Sequence, residues 1–329
     1  MINVGLVGTG FVAHQRARAL VGNRRGQLLA VAGHDWDATQ VFAATYGAIA
    51  CPTWQDLLNH PALDLVMVCH INADHGAVAI AALEANQHVV VEYPLALNLA
   101  EAEQILTLAR SKGLCLHVEH IELLGPAHQA LQQHIGAIGQ PIYGRYLTCK
   151  PKHPAPASWT YSPDLFGFPL VGALSRIHRL VHSFGPVERV YCQNHYDNLH
   201  PTESGWNYYS ACVCTAQLTF TSGLLAEVTY AKGQIGWLEQ RRFEVLGRQG
   251  QILLEGDQGR LITQAAAPCA IALGSRRGLL ARDTENVLDH LTTGSPLYCQ
   301  AEESLYSLRV ANAAQRSATT GQAIGLPAV

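Results

Sequence analysis

Charged side chains are scarce in this sequence: Asp, Glu, Lys and Arg make up 14% of its 329 residues, and the net charge is −3. With 48% hydrophobic residues alongside, so little charge excludes a solvated, disordered chain. It also excludes the broad basic surface that draws in nucleic acid or anionic lipid, so any cationic site must be local. Long apolar runs are missing as well. Nowhere do about 18 apolar residues follow one another, so no membrane span is expected. No basic segment leads into an apolar one at the start; residues 2–7 read as a first strand, and a cytoplasmic protein is expected. The nine cysteines are scattered, several within strand-like apolar runs, as free thiols are in a reducing compartment. Metal-ligand spacing is wanting too. Cys212 and Cys214 put two thiols on one strand face, but no second pair follows, and His117-Val118-Glu119-His120 has the wrong spacing for a helical ligand pair. No metal is expected.

What is present begins with residues 2–7, followed at once by Gly8-Thr9-Gly10-Phe11-Val12-Ala13 and a helical stretch over 14–21. A buried strand, G-x-G-x-x-A and a helix form the dinucleotide fingerprint: Gly8 for the tight turn, Gly10 for close approach of a pyrophosphate, Ala13 for helix-on-strand packing. The second strand, 28–32, ends in Gly33-His34-Asp35. An acid there, Asp35 or Asp37, binds ribose hydroxyls and favours NAD, whereas Arg24 and Arg25 nearby leave a 2′-phosphate open, so these residues do not settle between NADPH, the expected cofactor, and NADH, which stays possible. A strand over 63–69 delivers His70, Asn72 and His75 to its carboxyl end. The stretch His88-Val89-Val90-Val91-Glu92-Tyr93-Pro94 is a short strand that ends on an acid, a phenol and a proline. In an open parallel sheet such a strand end borders the ligand cleft, and proline restricts the tyrosine before it. Strand and helix alternate six times, which predicts a doubly wound α/β domain over residues 1–122.

From about residue 143 the period changes to two. Strands over 143–149, 187–193, 210–220, 224–230, 242–246 and 251–255 succeed one another, with turn signals at Thr221-Ser222-Gly223 and Arg248-Gln249-Gly250. A large, mainly antiparallel sheet is therefore expected in an α+β domain over residues 123–329, one face toward helices. Between the first two strands runs a helical segment, 172–184, carrying Arg176 and Arg179. Helices over 282–292 and 302–317 close the chain.

This layout resembles the glucose–fructose oxidoreductase superfamily, and within it the biliverdin reductase family, whose members reduce the bridging methine of biliverdin to give bilirubin. Four stretches carry the likeness: Val91-Glu92-Tyr93-Pro94, residues 116–124 (LHVEHIELL), Phe166-Gly167-Phe168-Pro169, and residues 174–180 (LSRIHRL) with Phe184-Gly185. Residues 274–279 (GSRRGL) are similar to the cyanobacterial branch. The sugar and inositol dehydrogenases of the superfamily carry lysine where Tyr93 stands and a D-x-x-x-H pair on the helix of Arg176, so alcohol oxidation here lacks its base. A sugar or polyol dehydrogenase, or a cofactor-sensing protein without turnover, is the alternative.

The resemblance implies hydride delivery from the nicotinamide to the central methine carbon, with Arg176 as the catalytic cation and Tyr93 as a positioning hydrogen-bond donor. Arg179 and Lys232 are expected to bind propionates, with Glu92, Glu119, Glu122 and His75 around the substrate. Arg276 and Arg277 read as surface charges. The cofactor is expected to contact Gly8, Thr9, Gly10, Phe11, Val12, Asp35, His70, Asn72 and Glu92. Biliverdin is the expected partner, and a monomer is expected because an open sheet face leaves room for a large, flat tetrapyrrole.

Overall fold

The structure is a computed structural model that describes residues 1–203 and 205–327. Two compact units result: Met1–Ile121 with Arg277–Leu305, and Glu122–Arg276 with the chain from Tyr306 onward.

In the first unit, β1 (Ile2–Val7), β2 (Gly26–Ala32), β3 (Ile49–Cys51), β4 (Leu65–Val68), β5 (His88–Val91) and β6 (Leu116–Val118) form a sheet in the order β3-β2-β1-β4-β5-β6. Every pairing is parallel. The order in which strands are added reverses between β1 and β4, with β2 and β3 laid down to one side of β1 and β4 to β6 to the other, and ligands of such sheets bind beyond the carboxyl ends at that switch. Residues 89–91 are at most 1% exposed, which is why the run is solidly apolar and not alternating. The helix Leu279–Thr293 completes this core. Its buried stripe of Leu279, Leu280, Asp283, Thr284, Val287 and Leu288 follows the helical period, and Val287 and Leu288 pack with Val4, Leu20 and Leu65. A single cut after residue 122 leaves this helix out of the first unit; burial of its apolar stripe there, worth about 1.5–3 kcal/mol per large side chain, is what returns the chain to it.

The second unit is built on β7 (Pro141–Pro151), β8 (Val187–Asp197), β11 (Ala211–Phe220), β12 (Leu225–Gly233), β13 (Gln240–Gly247), β14 (Gly250–Glu255), β15 (Gln258–Thr263), β16 (Cys269–Ala272) and β17 (Ile324–Gly325), with a small separate hairpin of β9 (His200–Pro201) and β10 (Asn207–Tyr208). The nine-stranded order is β16-β15-β14-β13-β7-β12-β11-β8-β17. All neighbours are antiparallel except β7 and β12. Strands β15 to β17 were not foreseen in the sequence, since β16 and β17 are short edge strands with little alternation. The helical segment expected over 172–184 is a short turn, Pro169–Gly172, and a separate helix, Ser175–Phe184. That helix covers one sheet face, where Tyr146 and Thr148 of β7 and Tyr230 of β12 are nearly buried. Gly144 allows the approach: a Cβ there would meet the Phe184 ring at 3.0 Å.

Candidate functional site

Between β1 and the helix Phe11–Leu20 the chain turns at Gly8, whose φ is +119°. A Cβ on Gly8 would come within 2.2 Å of the Cys69 carbonyl oxygen, so only glycine fits. Gly10 is the helix N-cap and gives the helix no side-chain cap, leaving the first-turn N–H groups of Phe11 and Val12 at a terminus that favours anions. A Cβ at Gly10 would meet no protein atom within 4 Å. These features fit a dinucleotide pyrophosphate. Asp35 follows β2 and is the exposed N-cap of the helix Trp36–Tyr46, one carboxylate oxygen accepting from the Ala38 N–H at 2.9 Å.

Beyond β4, the His70 ring nitrogen Nδ1 lies 2.9 Å from Asp74 Oδ2, and Asn72 is buried in a single 3-10 turn. His75, expected near substrate, is fully buried. Its Nδ1 lies 2.8 Å from the Pro94 carbonyl oxygen and its Nε2 3.1 Å from that of His70, and burial lowers its pKa despite those contacts. It fastens the loop after β4 to the loop after β5 and has no face left for substrate. The Tyr93–Pro94 peptide is cis, and the Tyr93 ring stacks on His120 at 5.5 Å, 4° from parallel.

Glu92 leaves the end of β5 with 16% of its side chain exposed, and its Oε1 accepts from Arg16 Nε and Nη2 at 2.9 and 2.7 Å. Arg16 is fully buried and also donates to Asp283 Oδ2 at 2.7 Å. The other Asp283 oxygen receives His117 Nε2 at 2.8 Å and the Tyr298 hydroxyl at 2.6 Å. Burial would push the Asp283 carboxyl up, but Arg16 and His117 hold it well below the usual range. Glu119, expected near substrate, is only 1% exposed and accepts from the Ile121 N–H. Burial and the charge of Glu92 raise its pKa well above the usual value. Its place is inside this network.

In the second unit, Arg176 lies over the Tyr230 ring at 5.3 Å and donates to Thr148 Oγ1 at 3.5 Å and Ser175 Oγ at 3.1 Å. Arg179, expected to bind a propionate, is 1% exposed and already committed. Its Nη2 donates to Glu122 Oε2 at 2.7 Å, its Nη1 to the Tyr146 hydroxyl at 3.3 Å, and it packs over the rings of Tyr146 and Phe243. Glu122 also receives Arg241 at 2.5 Å and Arg276 at 2.6 Å. Burial works against its charge, yet Arg179, Arg241 and Arg176 lower its pKa. Arg276 thus has an internal partner, although 45% of its side chain is exposed. Lys232 is 9% exposed; its Nζ donates to the Thr160 carbonyl oxygen at 2.6 Å and lies 3.8 Å from the centre of the Tyr161 ring. Cys212 and Cys214 are buried in β11, the latter 3.6 Å from the Cys192 sulfur.

Arg16, Asp283, His117, Tyr298 and Arg241 escaped the sequence reading. The available signal was polarity at a core position: Arg16 shares a helical stripe with Ala13, Ala17 and Leu20, and Asp283 one with Leu279 and Val287.

Comparison with known proteins matches residues 2–120 to the Gfo/Idh/MocA "oxidoreductase family, NAD-binding Rossmann fold" and residues 132–326 to its "C-terminal alpha/beta domain". The crystal structure of biliverdin reductase from Synechocystis sp. PCC 6803, in complex with biliverdin and NADP+, is 47% identical over 97% of this chain and 99% of that one, with a TM-score of 0.92. Mouse biliverdin reductase A is 32% identical over 139 residues, which span 41% of this chain and 43% of the mouse protein. A levoglucosan dehydrogenase in complex with NADH and L-sorbose, at 17% identity over 100% of this chain and 99% of that one, shares the fold with a TM-score of 0.87.

Proposed function

This chain belongs to the Gfo/Idh/MocA oxidoreductase family, and from that premise we propose that it is an NAD(P)H-dependent biliverdin reductase yielding bilirubin. The observation that carries the reading is the 47% identity, sustained along nearly the whole chain, to a reductase crystallised with biliverdin and NADP+. Local chemistry agrees. Tyr93 stands where an alcohol dehydrogenase of this superfamily needs its lysine base, and the helix Ser175–Phe184 offers Arg176 in place of an acid–base pair.

The cofactor, when bound, supplies the hydride. For its pyrophosphate the chain offers the Gly8–Gly10 turn and the N–H groups of Phe11 and Val12, with Thr9 beside them; Asp35 is assigned to the adenosine ribose, and His70 and Asn72 to the nicotinamide end. The network of Arg16, Asp283 and Glu119 fixes Glu92, and through it the loop from which Tyr93 projects. Tyr93 is assigned to hydrogen-bonding or stacking on the pigment, because a phenol hydroxyl can donate a hydrogen bond and its ring offers a flat face. Arg176 is assigned to stabilising negative charge as hydride reaches the methine carbon; a guanidinium keeps its proton, so the proton for the pyrrole nitrogen comes from another source. Biliverdin has two propionates and the second unit has a cationic sheet face to meet them, with Lys232 and Arg176 its foremost members. A cytoplasmic monomer is the proposed working form; among the described residues no helix is long and apolar enough to cross a membrane.

The test is anaerobic absorbance of the protein with biliverdin IXα and NADPH, then NADH. Decay of the red band and growth of a yellow product, lost in Arg176→Ala, is expected. An unchanged spectrum with both cofactors, alongside NAD+ reduction with a polyol, would transfer the chain to the sugar dehydrogenases.

A further inference from the structure

Three cations, Lys232, Lys150 and Arg176, act on one another at one face of the second unit's sheet. Lys232 of β12 and Lys150 of β7 are register partners in the parallel pair, so their side chains leave the sheet side by side. Tyr230, two residues before Lys232 and therefore on the same face, carries the Arg176 guanidinium over its ring. The charged and titratable groups that act on Lys232 are Cys212 from β11, Lys150 from β7 and Arg176 from the helix Ser175–Phe184. Glu122 and Glu239 bear on Lys150, and Asp164 is engaged by Asn207 at 2.7 and 3.0 Å. Of the three hydrogens on a Lys232 ammonium, the Thr160 carbonyl takes one and the Tyr161 ring faces another.

An ammonium so placed is disfavoured by its own surroundings. Burial first, then repulsion from Lys150 and Arg176, bring its pKa down to about 7. Burial, Arg176 and Arg241 likewise depress Lys150. A carboxylate against the amine opposes both, because an opposite charge close by favours the charged form. We propose that Lys232, flanked by Lys150 and Arg176, is a carboxylate anchor that takes up a proton as it binds, so that the affinity for an anionic substrate is linked to pH through this one amine. The proposal rests on the pigment reading above, in which the carboxylate is a propionate.

The sign follows from linkage. Below pH 7 the anchor is already charged and binding is insensitive to pH. Above it, each bound carboxylate must draw in a proton, and the affinity falls by up to about tenfold per pH unit until the pKa of the occupied site is passed. A propionate, ionised above about pH 5, contributes no slope of its own in this range.

The experiment measures Kd by absorbance titration between pH 6.5 and 9 with the NADP+-loaded protein, for biliverdin and for its dimethyl ester, which lacks both carboxylates. Wild type should lose affinity for the diacid above pH 7 and show a flat profile for the diester. Lys232→Arg, permanently charged, should flatten the diacid profile whatever its absolute affinity. A flat diacid profile in a wild-type protein that still turns over biliverdin overturns the anchor alone, as does the same slope with diacid and diester. A wild-type protein that neither binds nor reduces the diacid overturns the pigment reading and the anchor together.

Discussion

Replacing Asp283 with asparagine probes the buried charge network of the first unit. The carboxylate is wholly enclosed, with Oδ2 held by Arg16 and Oδ1 shared between His117 and Tyr298. Asparagine has the same shape but offers one acceptor and one NH2, so one of these donors is left facing another donor, and Arg16 loses the Asp283 carboxylate while keeping that of Glu92. Breaking a buried pair from one side costs about 3–5 kcal/mol. At about 2–4 °C per kcal/mol for a unit of this size, Tm should fall by about 6–20 °C. Asp289→Asn on the same helix is the control. Asp289 pairs with Arg25 where 39% and 33% of the two side chains are exposed, and a screened surface pair is worth less than about 1 kcal/mol. The assay is thermal and urea denaturation of both variants followed by far-UV circular dichroism. The pH dependence is fixed in sign. The folded state depresses the Asp283 carboxyl, so its contribution is complete above the unfolded value of 3.8 and is lost as pH falls below it. The gap between wild type and Asp283→Asn should therefore be constant near neutrality and close below about pH 4. Equal losses in the two variants would refute the argument that burial gives this network its weight.

Gly8→Ala should abolish cofactor binding or folding, because the new Cβ meets the Cys69 carbonyl at 2.2 Å in a backbone region alanine avoids; cofactor titration beside a thermal melt separates these outcomes. Glu122→Gln strips Arg179 of its carboxylate, and an expected loss of about 3–5 kcal/mol in urea unfolding should diminish as pH falls below 4.5, where the unfolded wild-type carboxyl is itself protonated. Asp35→Ala removes an N-cap worth about 0.5–2 kcal/mol and should raise KM for NADH more than for NADPH; an unchanged ratio would remove Asp35 from the ribose site. Tyr93→Phe should lower kcat by less than tenfold, well short of the loss in Arg176→Ala, if the phenol positions pigment without supplying the reaction's proton; steady-state rates at saturating biliverdin measure the difference.

Much of the fold was legible because it depends on local pattern. The apolar strands of the first sheet and the G-x-G-x-x-A turn are each specified within a few residues. So were the change to period two and the replacement of lysine by Tyr93. Partnership was not legible. Sequence presents Arg176 and Arg179 as equivalent residues one turn apart, yet tertiary packing puts Arg179 under Glu122 and Tyr146 and leaves Arg176 over Tyr230. It likewise presents Glu119 and Glu122 as a pair, but the fold raises the pKa of the first beside Glu92 and makes the second a carboxylate held by three arginines. Asp283 lies 267 residues beyond Arg16, and no periodicity connects them. Backbone conformation and hydrophobic burial follow from neighbours in the chain, so the sequence alone determined the elements and their class. Charge state follows from neighbours in space, so the tertiary structure decided which ionisable groups are committed to holding the fold and which face a ligand.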